Sequence, residues 1–316
     1  MEKIGILAGG SCFALNLANQ AKDYDVFGIG RSHKPYAMWP VYQGYRYYQA
    51  HLVTQLTAFL AILDTERPDY IVSFLAQGEG QGSFANPAPF YETNAVALVK
   101  LAEALKSRKY LKRFIQIGTS ELYGSVTSPS LETDIPKPSS PYAVSKLAFD
   151  MHLDILRKQG FENSVVRPSN AYCRGQQLHR IIPKSIIYAL SGKRIPLQGG
   201  GKARKSYLHA TDLSKAILLS LTSEPGVYNA GPDEPTAIAD VVRHVAQATG
   251  VWYEDLVEIT EDRVGQDGCY WLNSDKLRAL GWKPEITLEE GITDVVEWIK
   301  AFPEILSMST DWSIRQ

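Results

Sequence analysis

Short apolar runs and longer amphipathic stretches take turns along the first half of the chain. Residues 3–8, 25–30, 69–75 and 114–118 are largely continuous apolar runs bounded by polar or glycine-rich breaks, as expected of strands buried on both faces. Between them, residues 13–21, 54–64, 89–107 and 141–159 repeat apolar side chains at helical spacing. This alternation predicts an α/β fold built on a doubly wound parallel sheet. Residues 163–168 continue the sheet. Beyond them the order is less regular, with helices expected near 181–190, 211–221, 237–248 and 288–301 and a strand near 205–209. The chain therefore divides into residues 1–168 and a smaller C-terminal α/β lobe, mainly 169–316, interleaved with the sheet. No internal repeat or low-complexity segment interrupts this order.

Composition narrows the setting. At 316 residues the chain is long enough for a large core, and 45% hydrophobic with 21% charged residues is ordinary for a soluble globular protein. A net charge of −1 gives no electrostatic footprint for nucleic acid, so no such partner is expected. No apolar run reaches the length of a membrane span, and Met1 to Gly5 lead straight into the first strand. A cytoplasmic protein without a membrane partner is expected. Cys12, Cys173 and Cys269 are odd in number, far apart in sequence and without paired ligand spacing, which predicts free thiols and no metal site.

The chemistry concentrates in two segments. One is Gly118-Thr119-Ser120-Glu121-Leu122-Tyr123-Gly124; the other, eighteen residues on, is Tyr142-Ala143-Val144-Ser145-Lys146. Ser139-Ser140-Pro141 offers a capping hydroxyl and a proline for the first helical position, so a helix should start here and stop at Gly160. Tyr142 and Lys146 then share one face of its first turns. An ammonium beside a phenol favours the phenolate, the form in which tyrosine serves as a base. Taken alone, a tyrosine four residues before a lysine reads equally well as an exposed residue of an amphipathic helix.

A dinucleotide fold wants glycines after its first strand, where the backbone approaches a pyrophosphate at a helix N-terminus. Here that turn is Ala8-Gly9-Gly10-Ser11-Cys12-Phe13-Ala14-Leu15. If Gly9 opens a G-x-x-G-x-x-G spacing, Cys12 and Leu15 hold the second and third places. Cys12 is then expected to put a side chain in the path of the phosphates, and Leu15 to push the helix off the sheet. After the second strand the chain reads Gly28-Ile29-Gly30-Arg31-Ser32, with no carboxylate for a ribose 2′-hydroxyl. A guanidinium in that place welcomes a 2′-phosphate, so NADP is expected, with NAD as the alternative. Gly9, Ser11, Cys12, Phe13, Arg31 and Ser32 are the cofactor residues this turn supplies. Arg31 also reads as a solvated residue at a strand end.

Taken in order, the glycine turn, Leu75-Ala76-Gln77, Asn94, Thr119 to Gly124, Tyr142 to Lys146, Arg167 to Tyr172, Ile195-Pro196-Leu197, Tyr207 to Asp212, Tyr228 to Gly231 and Leu280-Gly281-Trp282 form a longer pattern. It covers nearly the whole chain and resembles the extended short-chain dehydrogenase/reductase family of nucleotide-sugar epimerases, dehydratases, reductases and decarboxylases. The resemblance implies a Rossmann-type first lobe for the cofactor, a second lobe for a nucleoside-diphosphate sugar, and chemistry between them. Within the family, the Thr119 to Gly124 block is similar to GDP-mannose 4,6-dehydratases. Pro87 to Asn94 and Ile181-Ile182-Pro183 look closer to dTDP-glucose 4,6-dehydratases, which carry an aspartate where this chain has Ser120. A 4,6-dehydratase is the function the resemblance implies first. An epimerase, a 4-keto reductase or a decarboxylase remains open, and a catalytically silent nucleotide-binding relative is the third reading.

The resemblance also implies roles. Thr119, Ser120, Glu121, Tyr142 and Lys146 become the catalytic set, and Leu75, Ala76, Gln77 and Asn94 join Tyr142 and Lys146 among the cofactor contacts. Asn170 is expected on the sugar or its phosphate, Lys205 and Arg263 on the diphosphate, with Arg204 beside Lys205. Arg180 and Lys184, flanking the Ile-Ile-Pro block, are expected near the nucleotide, and Glu79, in a glycine-rich loop where relatives often have histidine, toward the sugar; each of the five basic residues and Glu79 reads equally well as a surface position. Pairing of subunits through the helices over 89–107 and 141–159, as a four-helix contact, is implied by resemblance alone.

Overall fold

Apolar side chains sort to the two faces of one sheet with the period of two that strands impose. In a computed structural model that describes residues 1–35, 44–78, 80, 82–261 and 268–311, this sheet has seven parallel strands. They are β1 (Lys3–Leu7), β2 (Asp25–Gly30), β3 (Arg46–Gln49), β4 (Tyr70–Ser73), β5 (Arg113–Ile117), β6 (Asn163–Pro168) and a last strand, Val227–Ala230, in the order 3-2-1-4-5-6 followed by that last strand. Ile4, Ile6, Val26, Val72, Ile115 and Val166 pack against the helices Cys12–Gln20 and Ala210–Ser220. Their neighbours Leu7, Phe27, Ile29, Ile71, Phe114 and Val165 pack against Leu56–Glu66, Leu98–Leu105 and Pro141–Lys158 on the other side. Strand order reverses between β1 and β4, which opens a crevice outside the carboxyl ends of those strands.

The expected doubly wound sheet is present, with two strands the apolar pattern did not single out. β3 is a mixed polar and aromatic edge, Arg46-Tyr47-Tyr48-Gln49. The strand Val227–Ala230 comes from the second half of the chain and pairs with β6. The helix expected over 89–107 is not one regular helix. Ala88–Tyr91 and Leu98–Leu105 are α-helical, and Glu92–Ala97 between them is π-helical. The strand expected over 205–209 is divided: Arg204–Lys205 pairs with Cys269–Tyr270 and Thr236–Ala237, whereas Tyr207–His209 pairs with Asn170–Tyr172.

Residues beyond β6 build a second core. Ile182 and Ile186 of the helix Ile181–Leu190, Val241, Val242 and Val245 of Ile238–Thr249, and Ile292, Val295, Trp298 and Ile299 of Leu288–Ala301 are buried together. That last helix starts with a capping box in which Thr287 and Glu290 satisfy each other's backbone N–H groups. Among the described residues no helix is long and apolar enough to cross a membrane.

Gly291 shows how tightly the two parts of this lobe meet. A Cβ there would lie 2.1 Å from the Tyr172 hydroxyl and 2.7 Å from its Cζ, and Tyr172 is buried. Helix propensity alone makes Gly291→Ala stabilising by about 1 kcal/mol. Overpacking of a rigid neighbour costs about 1–3 kcal/mol, so the substitution is expected to lower Tm. A thermal melt showing an unchanged or higher Tm would refute the packing argument.

Candidate active site

The carboxyl ends of four strands line one cavity of about 440 Å³: Ala8 after β1, Phe74 after β4, Ile117 and Gly118 at the end of β5, and Pro168 and Ser169 at the end of β6. Thr119, Ser120, Glu121, Tyr142 and Lys146 all line it, and so do Ser11, Phe13, Ala76, Asn170, Arg180 and Lys205. Residues from both halves of the chain therefore meet in one place.

Local chemistry fixes the catalytic candidates. Ser140 caps the helix Pro141–Lys158, its hydroxyl accepting from the Ala143 N–H at 3.1 Å, with Pro141 at the first turn. The helix ends before Gly160, whose φ of +87° suits glycine. Tyr142 is half-buried with its ring edge-on to Phe90, and its backbone N–H donates to the Ser83 hydroxyl at 3.1 Å. Lys146 is sealed from solvent and donates to the Ile117 carbonyl at 2.7 Å, which ties the helix to the end of β5. Burial brings the Lys146 ammonium down to about 8, with the Asp150 carboxylate acting in the opposite sense. Thr119 caps the 3₁₀ turn Ser120–Tyr123, its hydroxyl accepting from the Glu121 N–H at 3.2 Å. The Glu121 carboxylate reaches across to the glycine-rich loop, where a Cβ on Gly80 would lie 2.8 Å from its Oε2.

Asn94 is placed differently from its expected role as a cofactor contact. It is fully buried, accepts from the Gln77 N–H at 2.7 Å, and donates to the Gln77 carbonyl at 3.1 Å and the Ser145 hydroxyl at 3.0 Å. Ser145 in turn donates to the Tyr142 carbonyl at 2.7 Å. The π turn carries this amide, which joins the loop after β4 to the tyrosine helix; π turns recur at functional sites. Asn94 therefore serves the site through Gln77 and Ser145. Leu75 and Gln77 flank Ala76 in that loop without lining the cavity themselves.

At the glycine turn, Ser11 caps the helix Cys12–Gln20 by accepting from Ala14 at 3.3 Å. A Cβ on Gly9 would lie 2.5 Å from the Gly28 Cα and 2.9 Å from the Ile29 nitrogen, so only glycine lets the turn lie against β2. The Tyr45 hydroxyl donates to the Gly9 carbonyl at 2.8 Å. Cys12 and Leu15 correct two expectations. Cys12 is buried with Leu15, Cys173 and Ala210, so its side chain packs toward the second lobe and not into the phosphate path. Leu15 shares that cluster, while Ala14, Leu17 and Ala18 face the sheet, so the helix is not displaced. The Cys12 and Cys173 thiols are in contact and free, and burial pushes Cys173 well up. Arg31 and Ser32 are exposed at the end of β2, with Tyr47 donating to the Ser32 carbonyl at 3.1 Å.

Of the expected substrate residues, Asn170, Arg180 and Lys205 line the cavity. Lys205 is buried, its ammonium 3.3 Å from the centre of the Tyr270 ring. Lys184 stands over Tyr188 and Arg204 donates to the Pro235 carbonyl at 2.9 Å; neither lines the cavity. Both were expected there from sequence proximity alone, and the helix and strand that carry them turn these side chains elsewhere. Glu79 and Arg263 lie outside the described residues. The cavity wall adds Gln176 and Gln177, which the sequence did not point to, and Tyr172 and Tyr207, which end and open segments of the longer pattern but were given no role there. Among the described residues no cluster of His, Cys, Asp and Glu is arranged to hold a metal. Among the described residues, three cations, Lys146, Arg180 and Lys205, meet one carboxylate, Glu121, around this space, a balance suited to an anionic ligand.

A parallel sheet in this order, with a tyrosine and lysine on the helix at its carboxyl edge, is the architecture of the extended short-chain dehydrogenases/reductases. The chain belongs to the NAD dependent epimerase/dehydratase family, whose model matches residues 10–231. It is 32% identical over 250 residues to the trifunctional UDP-glucose 4,6-dehydratase/UDP-4-keto-6-deoxy-D-glucose 3,5-epimerase/UDP-4-keto-L-rhamnose-reductase of Arabidopsis thaliana, covering 77% of this chain and 38% of that longer protein. It is 32% identical over 237 residues to the dTDP-glucose 4,6-dehydratase of Streptomyces niveus, covering 73% of this chain and 70% of that one. The crystal structure of dTDP-glucose 4,6-dehydratase from Bacillus anthracis in complex with NAD aligns with a TM-score of 0.85 at 25% identity, over 96% of this chain and 98% of that one. UDP-glucose 4-epimerase from Thermotoga maritima shares the fold, with a TM-score of 0.88 at 23% identity over 95% of this chain and 99% of that one. The relatives named here are dTDP-glucose and UDP-glucose enzymes, where the Thr119 to Gly124 block resembled those acting on GDP-mannose.

Proposed function

We propose that the protein is an NADP-dependent nucleoside-diphosphate-sugar 4,6-dehydratase, converting a nucleotide hexose to its 4-keto-6-deoxy form. One observation carries the reading: a single cavity holds Thr119, Glu121, Tyr142 and Lys146 together with the cations Arg180 and Lys205. Residues 1–168 with the strand Val227–Ala230 would hold the dinucleotide, and residues 169–316 mainly the sugar nucleotide. The glycine turn fits a dinucleotide through the serine-capped N-terminus of Cys12–Gln20, which Gly9 holds in place by letting the turn pack directly on β2. Gly9, Ser11 and Phe13 would meet the pyrophosphate side and Arg31 and Ser32 the adenosine ribose.

A nicotinamide held in this cavity would supply the hydride chemistry, with transient oxidation at the sugar C4 and reduction at C6. The residues handle the protons. Tyr142 accepts the proton of the C4 hydroxyl, with Lys146 favouring its phenolate and Thr119 donating a hydrogen bond to the same oxygen. The resulting C4 ketone acidifies the C5 proton, which Glu121 removes. The C6 hydroxyl leaves as water after taking a proton from Ser120 or from Glu121, and C5 recovers a proton as C6 is reduced, so the two protons collected by Tyr142 and Glu121 balance the two spent. Asn170 orients the sugar, and Arg180 and Lys205 meet the diphosphate.

A second reading, as an epimerase, 4-keto reductase or decarboxylase of the same family, is favoured by one feature: Ser120 is buried and is not an acid, so no second carboxylate in this segment stands ready to protonate the C6 hydroxyl. Incubation with GDP-, dTDP-, UDP- and CDP-hexoses, read by product mass, separates the two. Dehydration loses one water, epimerisation leaves the mass unchanged and decarboxylation loses carbon dioxide. Loss of water is expected, and its absence from every sugar would overturn the dehydratase. Glu121→Gln should lower kcat on the order of 10²–10⁴-fold while still allowing one round of nicotinamide reduction.

The NADP preference rests on Arg31 and on the absence of a carboxylate at the end of β2. Removing a charge-assisted hydrogen bond, Arg31→Ala should weaken NADP by roughly ten- to a hundredfold and leave NAD nearly unchanged. A wild-type protein that binds NAD as tightly as NADP would remove the preference.

We also propose a homodimer. The helix Pro141–Lys158 leaves Val144, Met151 and Ile155 38%, 62% and 53% exposed, and Val96 in the preceding segment is 41% exposed. Two copies packing these faces would form a four-helix contact. Sedimentation should show a dimer that Met151→Asp with Ile155→Asp converts to monomer; a wild-type monomer at micromolar concentration would exclude it.

A further inference from the structure

Behind the cavity lies a buried charged pair to which the mechanism above gives no role. Asp150 follows Lys146 by one helical turn and Tyr142 by two, so the three share a face of Pro141–Lys158. Its side chain is 1% exposed and that of its partner Arg167, from β6, is 7% exposed; Arg167 Nε donates to Asp150 Oδ2 at 3.0 Å. Arg167 Nη1 donates to the Tyr123 hydroxyl at 2.7 Å, Tyr123 to Asn229 Oδ1 at 3.0 Å, and Asn229 Nδ2 to the Ser130 carbonyl at 2.9 Å. The chain of bonds thus runs from the tyrosine helix through β6 and the 3₁₀ turn of Glu121 to the strand Val227–Ala230.

Gly118 sets how closely this pair approaches the site. A Cβ there would lie 2.9 Å from Arg167 Cγ and 3.4 Å from Asp150 Oδ2. The pair is therefore packed against backbone between Ile117, whose carbonyl accepts from Lys146, and the candidate catalytic Thr119. The second oxygen of Asp150, Oδ1, is buried and has no hydrogen-bond partner among the described residues. A bare buried carboxylate oxygen is costly unless cations surround it.

We infer that Asp150 is a positioning residue for proton handling: locked by Arg167 beneath Gly118, its carboxylate keeps the buried Lys146 in the ammonium form that Tyr142 needs. The inference rests on the proposed roles of Tyr142 and Lys146. Two buried cations and one carboxylate leave the interior with one net positive charge, which a Tyr142 phenolate neutralises. Without Asp150 two cations would stand unopposed. Lys146 would give up its proton first, because a guanidinium does not. Among the described residues, the charged and titratable groups facing this site include Tyr142 and Arg157 along the same helix, Arg167 from β6, Tyr123 from the 3₁₀ turn with Glu132 behind it, and Glu121 across the cavity. Burial raises the Asp150 carboxyl, and Arg167 and Lys146 pull it down.

The test reads Lys146 directly, by nuclear magnetic resonance of its labelled side-chain nitrogen, assigned through Lys146→Met, in protein without substrate. In the wild type the ammonium should titrate at about 8. In Asp150→Asn it should titrate about one unit lower or more, a tenfold loss of proton affinity, and the alkaline limb of kcat should move with it while KM for the sugar nucleotide stays within about twofold. Should the single variant fail to fold around an unpaired Arg167, Asp150→Asn with Arg167→Gln removes both charges and keeps hydrogen-bonding groups in place; there Lys146 should titrate close to the wild-type value. A Lys146 titration that moves less than about threefold in Asp150→Asn, or a double variant that titrates as low as a folded single one, overturns the role. Because the titration needs no turnover, it stands apart from the outcome of the sugar panel.

Discussion

A single hydrogen bond, from the buried Lys146 ammonium to the Ile117 carbonyl, fixes the tyrosine helix to the end of β5. Taking a charge out of water is costly, and it is sustained only where geometry and partners are held. Around this bond the structure supplies that support from several directions. Ser83 receives the Tyr142 N–H, Asn94 bonds both Ser145 and Gln77, and Ser140 caps the first turn. The helix therefore has one register against the sheet, and Tyr142 and Lys146 face the cavity together. The same bond brings Thr119 and Glu121 near, since they follow Ile117 directly in the chain.

The two halves of the chain meet where a parallel sheet leaves its crevice. The glycine turn comes from β1 and the catalytic candidates from β5 and the helix after it. Asn170, Arg180 and Lys205 come from beyond β6. Cys12 and Leu15 illustrate how closely these parts are joined: both pack on Cys173 and Ala210 of the later segment, so the turn expected to serve the cofactor also serves as a packing surface.

Much of this was legible in the sequence, for local reasons. Strands β1, β2, β4, β5 and β6 are buried on both faces and read as apolar runs, and the helices between them carry periodic apolar positions. Tyr142 and Lys146 were placed on one helix face by the Ser140-Pro141 start signal and their spacing, whereas Thr119 and Glu121 stood out through the family resemblance. What escaped is what depends on distant partners. β3 and the strand Val227–Ala230 are short edges of mixed composition, recognisable only beside β2 and β6. The π turn at Glu92–Ala97 reads as ordinary helix until Asn94 is seen to need Gln77 and Ser145. The directions of Cys12 and Leu15 were misjudged because Cys173 and Ala210, far along the chain, decide them. Lys184 and Arg204 were misjudged because nearness in sequence says nothing of which way a side chain turns. Gln176 and Gln177 are common residues in no recognisable spacing, and only the fold makes them cavity wall.

The strand Val227–Ala230 has a consequence for how the molecule is made. It completes the sheet alongside β6, and its Asn229 accepts from Tyr123, which in turn receives Arg167. A growing chain that had reached only residue 226 would carry β6 as an open edge, a template for pairing with other chains. Its Tyr123 would also lack the Asn229 acceptor. The sheet is thus no self-contained module to be cut out or transplanted by sequence position; its last strand emerges only after the helices Ile181–Leu190 and Ala210–Ser220 have been synthesised.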